Sequence, residues 1–362
     1  MKKIIRFTPG PTETPNWVYR AMQDHSMHHF SKEYQKCAEE VREKLRKLFG
    51  APNAEVLFFS AAGSNMMEAV LTNFLERIND VVGVINTGSF ADRWRTMATQ
   101  HNAEIFEYKK LWGLTYSYSD LELLLDVLAA RPKLLLAQAA DTSTGIRNDL
   151  KILGRLARAR SPATLFAVDA VLEGGISKIK MDEDDIDILI GASQKAFALP
   201  PGLAYILLNP RARKVLMEKP LGFPAWPFNF QQELKFLKEC GRPRFTPPID
   251  HVAGLNAVLD YILERESNWY LQHKLRAATL RRELVQLGFA LFTADTPTNG
   301  LSVLSVPGDQ NSQEIAAQVL REGYLIAQGL GPIENSTIRI AHFEGTREYD
   351  EGLLTAFRKI LR

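Results

Sequence analysis

The chain has little cysteine and no long apolar run. Its 362 residues include only two cysteines, Cys37 and Cys240, which excludes a disulfide framework and indicates a reducing compartment. No stretch approaches the ~18 to 20 apolar residues that a membrane-spanning helix requires. The apolar part of the N-terminal MKKIIRFTPGP is too short for a secretory signal. We therefore expect a cytoplasmic protein that contacts no membrane.

The chain also lacks a large net charge. Its 44 basic and 42 acidic residues leave a formal charge of +2, and no basic stripe interleaved with aromatic residues offers a surface to nucleic acid. His25, His28 and His29 lie close together, but no cysteine or carboxylate at metal-ligand spacing accompanies them, so we expect no metal site. With 46% hydrophobic residues, the chain has the composition of an ordinary globular protein with a sizeable core.

Short apolar runs separated by helix-length segments predict the fold. They occur at residues 55–59, 81–86, 103–108, 133–140, 164–170 and 186–192. Such alternation predicts an α/β large domain in which a mostly parallel central sheet lies between helices.

After Pro247 and Pro248 the pattern changes. One long amphipathic helix, capped by Asp250, is predicted to end at Gly288, and short strands around a single helix follow it. We expect an N-terminal arm at 1–17, a large domain at 18–268 and a smaller C-terminal α+β domain at 269–362.

The first candidate site is an anion site. The strand-like EVLFF (55–59) runs into SAAGSN and then into a helical pattern. A strand that opens directly into a helix places free backbone N–H groups and the positive helix end at one point. Ala62 and Gly63 let the backbone approach a phosphate closely, and Ser64 adds a hydroxyl. An ordinary strand-to-helix turn is the alternative, because the spacing matches no standard nucleotide-binding motif.

Three further positions follow predicted strands. Asp169 ends the run TLFAVD, at the sheet edge where open α/β folds bind ligands, although a carboxylate there also suits a cap. Thr142 begins the hydroxyl cluster of DTSTGIRND, which also fits a plain polar turn. Phe90, in NTGSFADRW, can present a ring face to a planar ligand, and core packing is its alternative.

Lys195 is the position that requires a chemical reason. It stands in GASQKAFALPPG, between apolar runs at 186–190 and 203–207, and lysine is seldom fully buried unless it is paired. A solvated lysine in a turn is the simple alternative. Burial lowers the pKa of an amine, so a lysine held between buried strands suits Schiff-base nucleophilic catalysis.

Together these positions meet the needs of pyridoxal phosphate: an anion cradle, a stacking face, a partner for the ring nitrogen and an amine that bonds to the aldehyde. At this point the chain resembles the class V aminotransferases of pyridoxal-phosphate fold type I, and more narrowly the alanine–glyoxylate, serine–glyoxylate and serine–pyruvate group. The motifs that carry the resemblance, in the family's order, are FTPGP, LFFSAAGSNMMEA, NTGSFADRW, DTSTGIRNDL, VDAV, GASQKAFALPPGLAY and IRIAHF.

The resemblance implies a role for each matching residue. Lys195 corresponds to the lysine that bonds to the cofactor and moves the substrate proton, and Asp169 to the carboxylate that keeps the ring nitrogen protonated. The other implied cofactor contacts are Ala62, Gly63 and Ser64 at the phosphate, Phe90 and Val171 on the ring faces, Thr142 near the ring oxygen and Gln194 beside the phosphate. Thr246, also expected at the cofactor, takes the place of a residue that in relatives reaches the neighbouring subunit's cofactor phosphate, and the family's usual His-Thr pair is missing there.

Two residues are implied on the substrate side. Arg339 matches the arginine that binds the substrate carboxylate, and Thr8 lies in the arm that approaches it. In TIRIAH, strand alternation puts Arg339 on the face opposite Ile338 and Ile340, where a guanidinium suits bidentate carboxylate binding. A half-exposed structural arginine is the alternative.

The chain departs from the family's usual pattern in several places. Ala61 and Ala62 replace glycine-rich residues of the cradle, and VLEGG after Asp169 is one residue short and carries Glu173. Phe30 stands where close bacterial relatives often have arginine. These departures place the preference for a substrate side chain in doubt.

The resemblance implies transfer of an amino group from a small amino acid, alanine or serine, to a small 2-oxo acid, glyoxylate or pyruvate. It also implies a homodimer with shared active sites. The alternatives are a 2-aminoethylphosphonate–pyruvate transaminase, a cysteine desulfurase-like enzyme, and a non-catalytic binding protein of the same fold.

Overall fold

The computed structural model describes residues 3–23, 25–76, 78–114, 120–219, 226–293, 295–308 and 310–361. Its strands are β1 (Ile5–Arg6), β2 (Glu55–Phe59), β3 (Val81–Asn86), β4 (Glu104–Lys109), β5 (Leu134–Gln138), β6 (Leu165–Asp169), β7 (Ile188–Ala192), β8 (Ala204–Leu208), β9 (Ala290–Leu291), β10 (Leu301–Ser305), β11 (Tyr324–Leu325), β12 (Ala327–Gln328) and β13 (Thr337–Ala341). Its α-helices are α1 (Asn16–Gln23), α2 (Lys32–Leu48), α3 (Gly63–Phe74), α4 (Ser89–Gln100), α5 (Leu121–Ala129), α6 (Leu150–Arg160), α7 (Pro210–Glu218), α8 (Phe230–Cys240), α9 (Ile249–Leu263), α10 (Glu266–Gln286), α11 (Ser312–Arg321) and α12 (Asp350–Ile360).

The central sheet has the order β2-β8-β7-β6-β5-β3-β4. Strand β8 is antiparallel to both of its neighbours, and the other neighbouring strands are parallel. The predicted α/β fold with a mostly parallel central sheet is therefore confirmed. Because β8 alone is reversed, the carboxyl ends of β2, β5, β6 and β7 meet at one edge.

Helices cover both faces of this sheet, which explains the continuous apolar runs of its strands. Every residue of β5, β6, β7 and β8 is buried. Within β5, Leu135 and Ala137 pack into one apolar cluster and Leu134 and Leu136 into another. The sheet is thus a rigid layer between two cores, and its edge provides a fixed platform for polar side chains.

The prediction of a single helix that ends at Gly288 is wrong in two respects. It is two helices, α9 and α10, because Arg265 leaves helical geometry at φ −110° and ψ 6°. Asp250 does not cap it but lies in the first turn of α9, after Pro248. Neither residue at the break is glycine or proline, so the sequence carries no breaker signal. The bend lets Trp269 Nε1 donate to Gly175 O at 2.6 Å.

A second sheet, with the order β12-β13-β10-β9, is antiparallel throughout. Residues of α10, α11 and α12 form an apolar cluster with Ile338 and Ile340 of β13. Strand β1 of the N-terminal arm pairs in parallel with β11, so the arm lies against this C-terminal part. The domain limits 1–17, 18–268 and 269–362 remain a prediction. Within the described residues, no helix combines the length and apolar character that crossing a bilayer requires.

Candidate active site

A cleft at the carboxyl edge of the central sheet gathers most of the predicted site residues. Its walls include Ala62, Gly63, Ser64, Phe90, Thr142, Asp169, Val171, Gln194 and Lys195. They come from the turn before α3, the start of α4 and the segments after β5, β6 and β7. Parallel strands place their following loops at the same edge, and this is why residues far apart in sequence meet here.

Lys195 is buried in this cleft, with 9% of its surface exposed. Its Nζ donates to Thr142 Oγ1 at 2.9 Å and lies 5.0 Å from the centre of the Phe90 ring. Burial lowers the pKa of Lys195 to about 8, although the nearby Asp169 and Asp141 carboxylates oppose the shift. An amine with that pKa exists partly in its neutral, nucleophilic form near neutral pH.

Asp169 ends β6 and faces the same space. Its side chain is 7% exposed, and its Oδ1 accepts a hydrogen bond from Val171 N at 2.9 Å. Burial raises the pKa of Asp169, against the effects of the Val171 N–H and the Lys195 charge. Among the described residues, no hydrogen bond to its Oδ2 is present, so that oxygen is available to a ligand.

The predicted anion cradle lies at the start of α3. Ala62 is extended and precedes the first helical residue, Gly63, and Ala62 N donates to Asn65 Oδ1 at 2.9 Å. A Cβ on Gly63 would lie 2.8 Å from Val171 Cγ2, which is too close for any larger residue. Helix N–H groups that open onto a cleft in this way bind anions.

Arg93 is a cleft residue that the sequence analysis missed. Its Nη1 donates to Ser64 Oγ at 2.8 Å, and its guanidinium lies 4.6 Å from the centre of the Phe90 ring. It therefore adds a positive charge to the anion cradle. The available signal was its spacing, because a residue three positions after Phe90 lies on the same helix face. Met67, Ala140 and Leu172 were also missed, and they complete the apolar wall.

Asp141 was missed as well, although it adjoins the predicted Thr142. Its Oδ1 accepts from Ser143 N at 2.8 Å, and its Oδ2 accepts from Phe90 N at 3.0 Å. The carboxylate thus ties the loop after β5 to the start of α4. A Cβ on Gly88 would lie 2.5 Å from Asp141 Cγ, so the close approach requires glycine. This contact holds the Phe90 backbone against the loop that carries Thr142.

Arg339 and Thr8 do not line the cleft but lie beside it. Arg339 Nε donates to Gln328 O at 2.7 Å, and its charge acts on both Lys195 and Asp141. Burial lowers the pKa of Arg339 to about 10, so it stays protonated at neutral pH. Thr8 Oγ1 donates to Pro11 O at 2.9 Å, within the arm.

The N-terminal arm that contains β1 runs from β13, the strand of Arg339, to the loop after β7 that carries Lys195. Phe7 O accepts from Ala341 N at 2.8 Å, and Thr12 N donates to Gln194 O at 3.2 Å. A Cβ on Gly10 would lie 3.3 Å from Lys195 Cγ. The arm therefore packs against the segment that carries Gln194 and Lys195, and the role of Thr8 remains a prediction.

Thr246 and Phe30 are not brought to the cleft of this chain. Thr246 is exposed in the segment before α9. Phe30 is 56% exposed, and the guanidinium of Arg242 lies 4.5 Å from the centre of its ring. Neither residue contacts the cleft within one chain.

Comparisons with known proteins identify the family of the chain. The family model described as aminotransferase class-V matches residues 5–332. The chain is 29% identical to an L-aspartate–glyoxylate aminotransferase of Paracoccus denitrificans, over 93% of this chain and 85% of that protein. It is 29% identical to an alanine–glyoxylate aminotransferase of Oryctolagus cuniculus, over 98% of this chain and 91% of that protein. A crystal structure of an alanine–glyoxylate aminotransferase from Nostoc sp. superposes with a TM-score of 0.92 at 26% identity, covering 100% of this chain and 96% of that one.

Proposed function

The chain belongs to the class V aminotransferases, which use pyridoxal phosphate, and we propose that it transfers an amino group from alanine or serine to glyoxylate or pyruvate. The observation that carries this proposal is the buried Lys195 amine, held beside Thr142 and Phe90 in a cleft that also contains Asp169.

The cleft fits the cofactor. The first-turn N–H groups of α3, Ser64 and Arg93 form a donor set for the phosphate, and Gly63 leaves no Cβ in the way. Oδ2 of Asp169 is available to the ring nitrogen. The amide of Gln194 lines the cleft, and its buried Oε1 has no hydrogen-bond partner among the described residues. When bound, pyridoxal phosphate supplies an electron-poor ring that accepts the electron pair left as the substrate Cα–H bond breaks.

Each predicted residue has a specific task in this proposal. Asp169 would keep a proton on the ring nitrogen, and Phe90 and Val171 would lie against the ring. Ala62, Gly63, Ser64 and Gln194 would hold the phosphate, and Thr142 would donate toward the ring oxygen. Lys195, in the same cleft, would be the group that moves the substrate Cα proton.

Lys195 performs the proton transfer. Its lowered pKa leaves a fraction of the amine neutral near neutral pH, and the neutral amine can take the proton from the substrate Cα. Thr142 Oγ1 orients Nζ in the absence of substrate.

Arg339 binds the substrate carboxylate in this proposal. Its Nε donates a hydrogen bond to Gln328 O, and the remaining guanidinium nitrogens have no hydrogen bond to a described residue. A guanidinium with free nitrogens, near the lysine, suits bidentate binding of a carboxylate. Thr8, in the arm next to β13, then closes this side of the cleft.

The acceptor has more support than the donor. The relatives from Paracoccus and Oryctolagus are both named for glyoxylate, but one is named for aspartate and the other for alanine. A cysteine desulfurase-like activity is less favoured, because Cys37 lies within α2 and Cys240 at the end of α8, and neither lines the cleft. A 2-aminoethylphosphonate donor remains an alternative, because it would present a phosphonate to Arg339 in place of the carboxylate of an amino acid.

We further propose a homodimer in which the N-terminal arm and the segment around Thr246 take part in the shared sites. Thr246 is exposed and does not line the cleft of its own chain, so in this proposal its cofactor contact is made in a second subunit.

The function is tested by a screen of amino donors. The visible absorbance of the lysine-bound cofactor is followed after addition of alanine, serine, aspartate or 2-aminoethylphosphonate. We expect alanine or serine to abolish the band and glyoxylate to restore it. Loss of the band only with 2-aminoethylphosphonate would identify that transaminase instead, and no loss with any amino acid would favour the non-catalytic alternative.

A further inference from the structure

Asp141 lies beneath the active-site cleft, in the loop after β5, and the proposed transamination gives it no task. Its side chain is fully buried and does not line the cleft, although its chain neighbours Ala140 and Thr142 do. The carboxylate is therefore not a group that touches the substrate or the cofactor. Any effect that it has on the chemistry passes through the residues around it.

The hydrogen bonds to Asp141 indicate which form of the carboxyl group the fold holds. Its Oδ1 accepts from Ser143 N at 2.8 Å and from Ser143 Oγ at 2.6 Å. Its Oδ2 accepts from Phe90 N at 3.0 Å and from Ala91 N at 3.4 Å. Three of these four partners are backbone N–H groups, and the Ser143 hydroxyl already accepts from Ser89 N at 2.9 Å. Such a set of donors favours the ionised carboxylate.

Helix α4 adds to this preference. Phe90 and Ala91 are the second and third residues of the helix, so the carboxylate lies at its N-terminus, where the helix dipole stabilises a negative charge. Burial raises the pKa of Asp141, and the hydrogen bonds from Ser143, Phe90 and Ala91 oppose that shift. No cation of the described residues forms an ion pair with Asp141. Its charge is thus held by hydrogen-bond donors and is not neutralised by a cation in direct contact.

Asp141 contacts both of the elements that surround the Lys195 amine. Lys195 Nζ donates at 2.9 Å to Oγ1 of Thr142, the residue after Asp141. The same Nζ lies 5.0 Å from the centre of the Phe90 ring, and Phe90 N donates to Asp141. Charges inside a protein are screened less than charges at its surface, so the ionised Asp141 acts on this amine without touching it.

Four charged groups face Lys195 from the surrounding elements. They are Asp141 after β5, Asp169 at the end of β6, Arg93 on α4 and Arg339 on β13. Burial is the largest effect and lowers the pKa of Lys195 to about 8, while the two carboxylates oppose this shift and the two arginines add to it. In the proposed site Asp169 pairs with the protonated ring nitrogen of the cofactor. Asp141 is then the carboxylate whose charge is left to act on the lysine.

We propose that Asp141 is a positioning residue for the catalytic lysine: its buried negative charge keeps the Lys195 amine able to take up a proton and to release it near neutral pH. An amine that takes a proton from the substrate and later gives one back has to hold that proton in between. A buried ammonium group is disfavoured unless a negative charge lies nearby. The inference rests on the proposed role of Lys195 as the group that transfers the proton.

The reaction of the full-length apoenzyme with saturating pyridoxal phosphate, followed over a range of pH, tests this charge. Only the neutral Nζ attacks the aldehyde carbon; a C=N bond forms, and the aldehyde oxygen leaves as water. Borohydride added at timed intervals fixes the product, and mass spectrometry of the peptide that contains Lys195 measures its amount. The wild-type rate should reach half of its maximum near pH 8. In Asp141→Asn this midpoint should lie about one pH unit lower, the usual scale of a charge effect inside a protein.

Asp92→Asn is the matched control. It removes a carboxylate from the first turn of the same helix, where Asp92 pairs with Arg95 and Lys109, and its midpoint should equal that of the wild type. Equal midpoints in Asp141→Asn and the wild type would overturn the proposal, since a purely structural role for Asp141 slows the reaction at every pH without moving the midpoint. If Asp141→Asn does not fold, Asp141→Ser gives the same comparison, because it also removes the charge.

The peptide map separates failure of this inference from failure of the proposed function. Attachment of the cofactor to another lysine would overturn the role of Lys195 and, with it, the role of Asp141. Attachment to Lys195 with an unchanged midpoint in Asp141→Asn would overturn the role of Asp141 alone.

Discussion

Lys195 Nζ lies 2.9 Å from Thr142 Oγ1, although 53 residues separate them in the chain. The contact joins the loop after β7 to the loop after β5, across the intervening strand β6 that ends in Asp169. It places the amine over the edge of the sheet, with the Phe90 ring 5.0 Å away.

Replacing Lys195 with alanine should leave cofactor binding in place but stop turnover. The phosphate contacts and Asp169 do not involve the amine, so the variant should retain non-covalently bound pyridoxal phosphate. Loss of the proton-transfer group should lower kcat by ~10²-fold to 10⁴-fold or more. Single-turnover absorbance and steady-state assays measure both effects. Lys235→Ala, on α8 outside the cleft, is the control, and near-normal transamination by Lys195→Ala would refute the assignment.

Replacing Arg339 with alanine should affect the substrate and not the cofactor. The visible absorbance of the lysine-bound cofactor should persist, while amino-acid affinity should fall by roughly 2 to 4 kcal/mol, the usual cost of losing a charge-assisted bidentate contact. Arg339→Lys should recover part of this loss, because it keeps the charge without the planar fork. The measurement is a titration of the absorbance change with the amino donor. Unchanged affinity in Arg339→Ala would place the carboxylate elsewhere.

Arg93 should contribute to cofactor retention. Its Nη1 lies 2.8 Å from Ser64 Oγ at the anion cradle, so Arg93→Ala should raise the dissociation constant for pyridoxal phosphate about tenfold. Arg95, on the same helix, pairs instead with Asp92 and Glu107, and Arg95→Ala serves as a matched control. Refilling of the apoenzyme, followed by absorbance, gives both constants. If the two variants retain the cofactor equally well, Arg93 is only a surface residue.

The homodimer prediction concerns Thr246. Light scattering of the holoenzyme should give twice the 40.8 kDa chain mass. Thr246→Ala should weaken cofactor binding a few-fold, because one neutral hydrogen bond is lost across the interface. A fully active monomer at low concentration would contradict the dimer and, with it, the role of Thr246.

Two buried histidines predict a loss of stability in acid. Burial lowers the pKa of His273 to about 3, and the pKa of the fully buried His342 is also lowered, with the Arg276 charge adding to both shifts. A histidine whose pKa is lower in the folded state than in the unfolded state binds its proton more tightly in the unfolded state. The free energy of unfolding should therefore be unaffected by these histidines above pH 6.5, the ordinary histidine pKa, and should fall as the pH decreases toward 3.

The loss that His273 causes can be isolated by substitution. Between pH 7 and pH 5 it should contribute roughly 2 kcal/mol to the decrease in unfolding free energy. His273→Gln does not titrate, so its decrease over the same range should be smaller by that amount. Denaturant titrations of the holoenzyme at equal protein concentration measure the difference, and identical pH dependence in the two proteins would contradict the prediction.

Local sequence determined the strands of the central sheet and most of the residues that line the cleft. The apolar runs at 81–86 and 164–170 predicted β3 and β6 closely, because strands buried on both faces need continuous apolar sequence. Lys195 was recognisable because a single charged side chain between two buried apolar strands loses its hydration, which is unfavourable unless the residue has a chemical role. The turn before α3 was recognisable because small residues at a strand-to-helix junction leave backbone N–H groups open to a ligand, and we propose that they bind the phosphate.

Tertiary structure decided the features that depend on several segments at once. The hydrogen bonds from Phe90 N to Asp141 and from Arg93 to Ser64 form only because the strand order of the sheet places their loops side by side. No local sequence pattern encodes that strand order. No glycine or proline marks the break between α9 and α10 at Arg265. In the folded chain the break is accompanied by the hydrogen bond from Trp269 Nε1 to Gly175 O. A sequence states the preference of each segment separately, whereas distances between segments follow from how the strands pack.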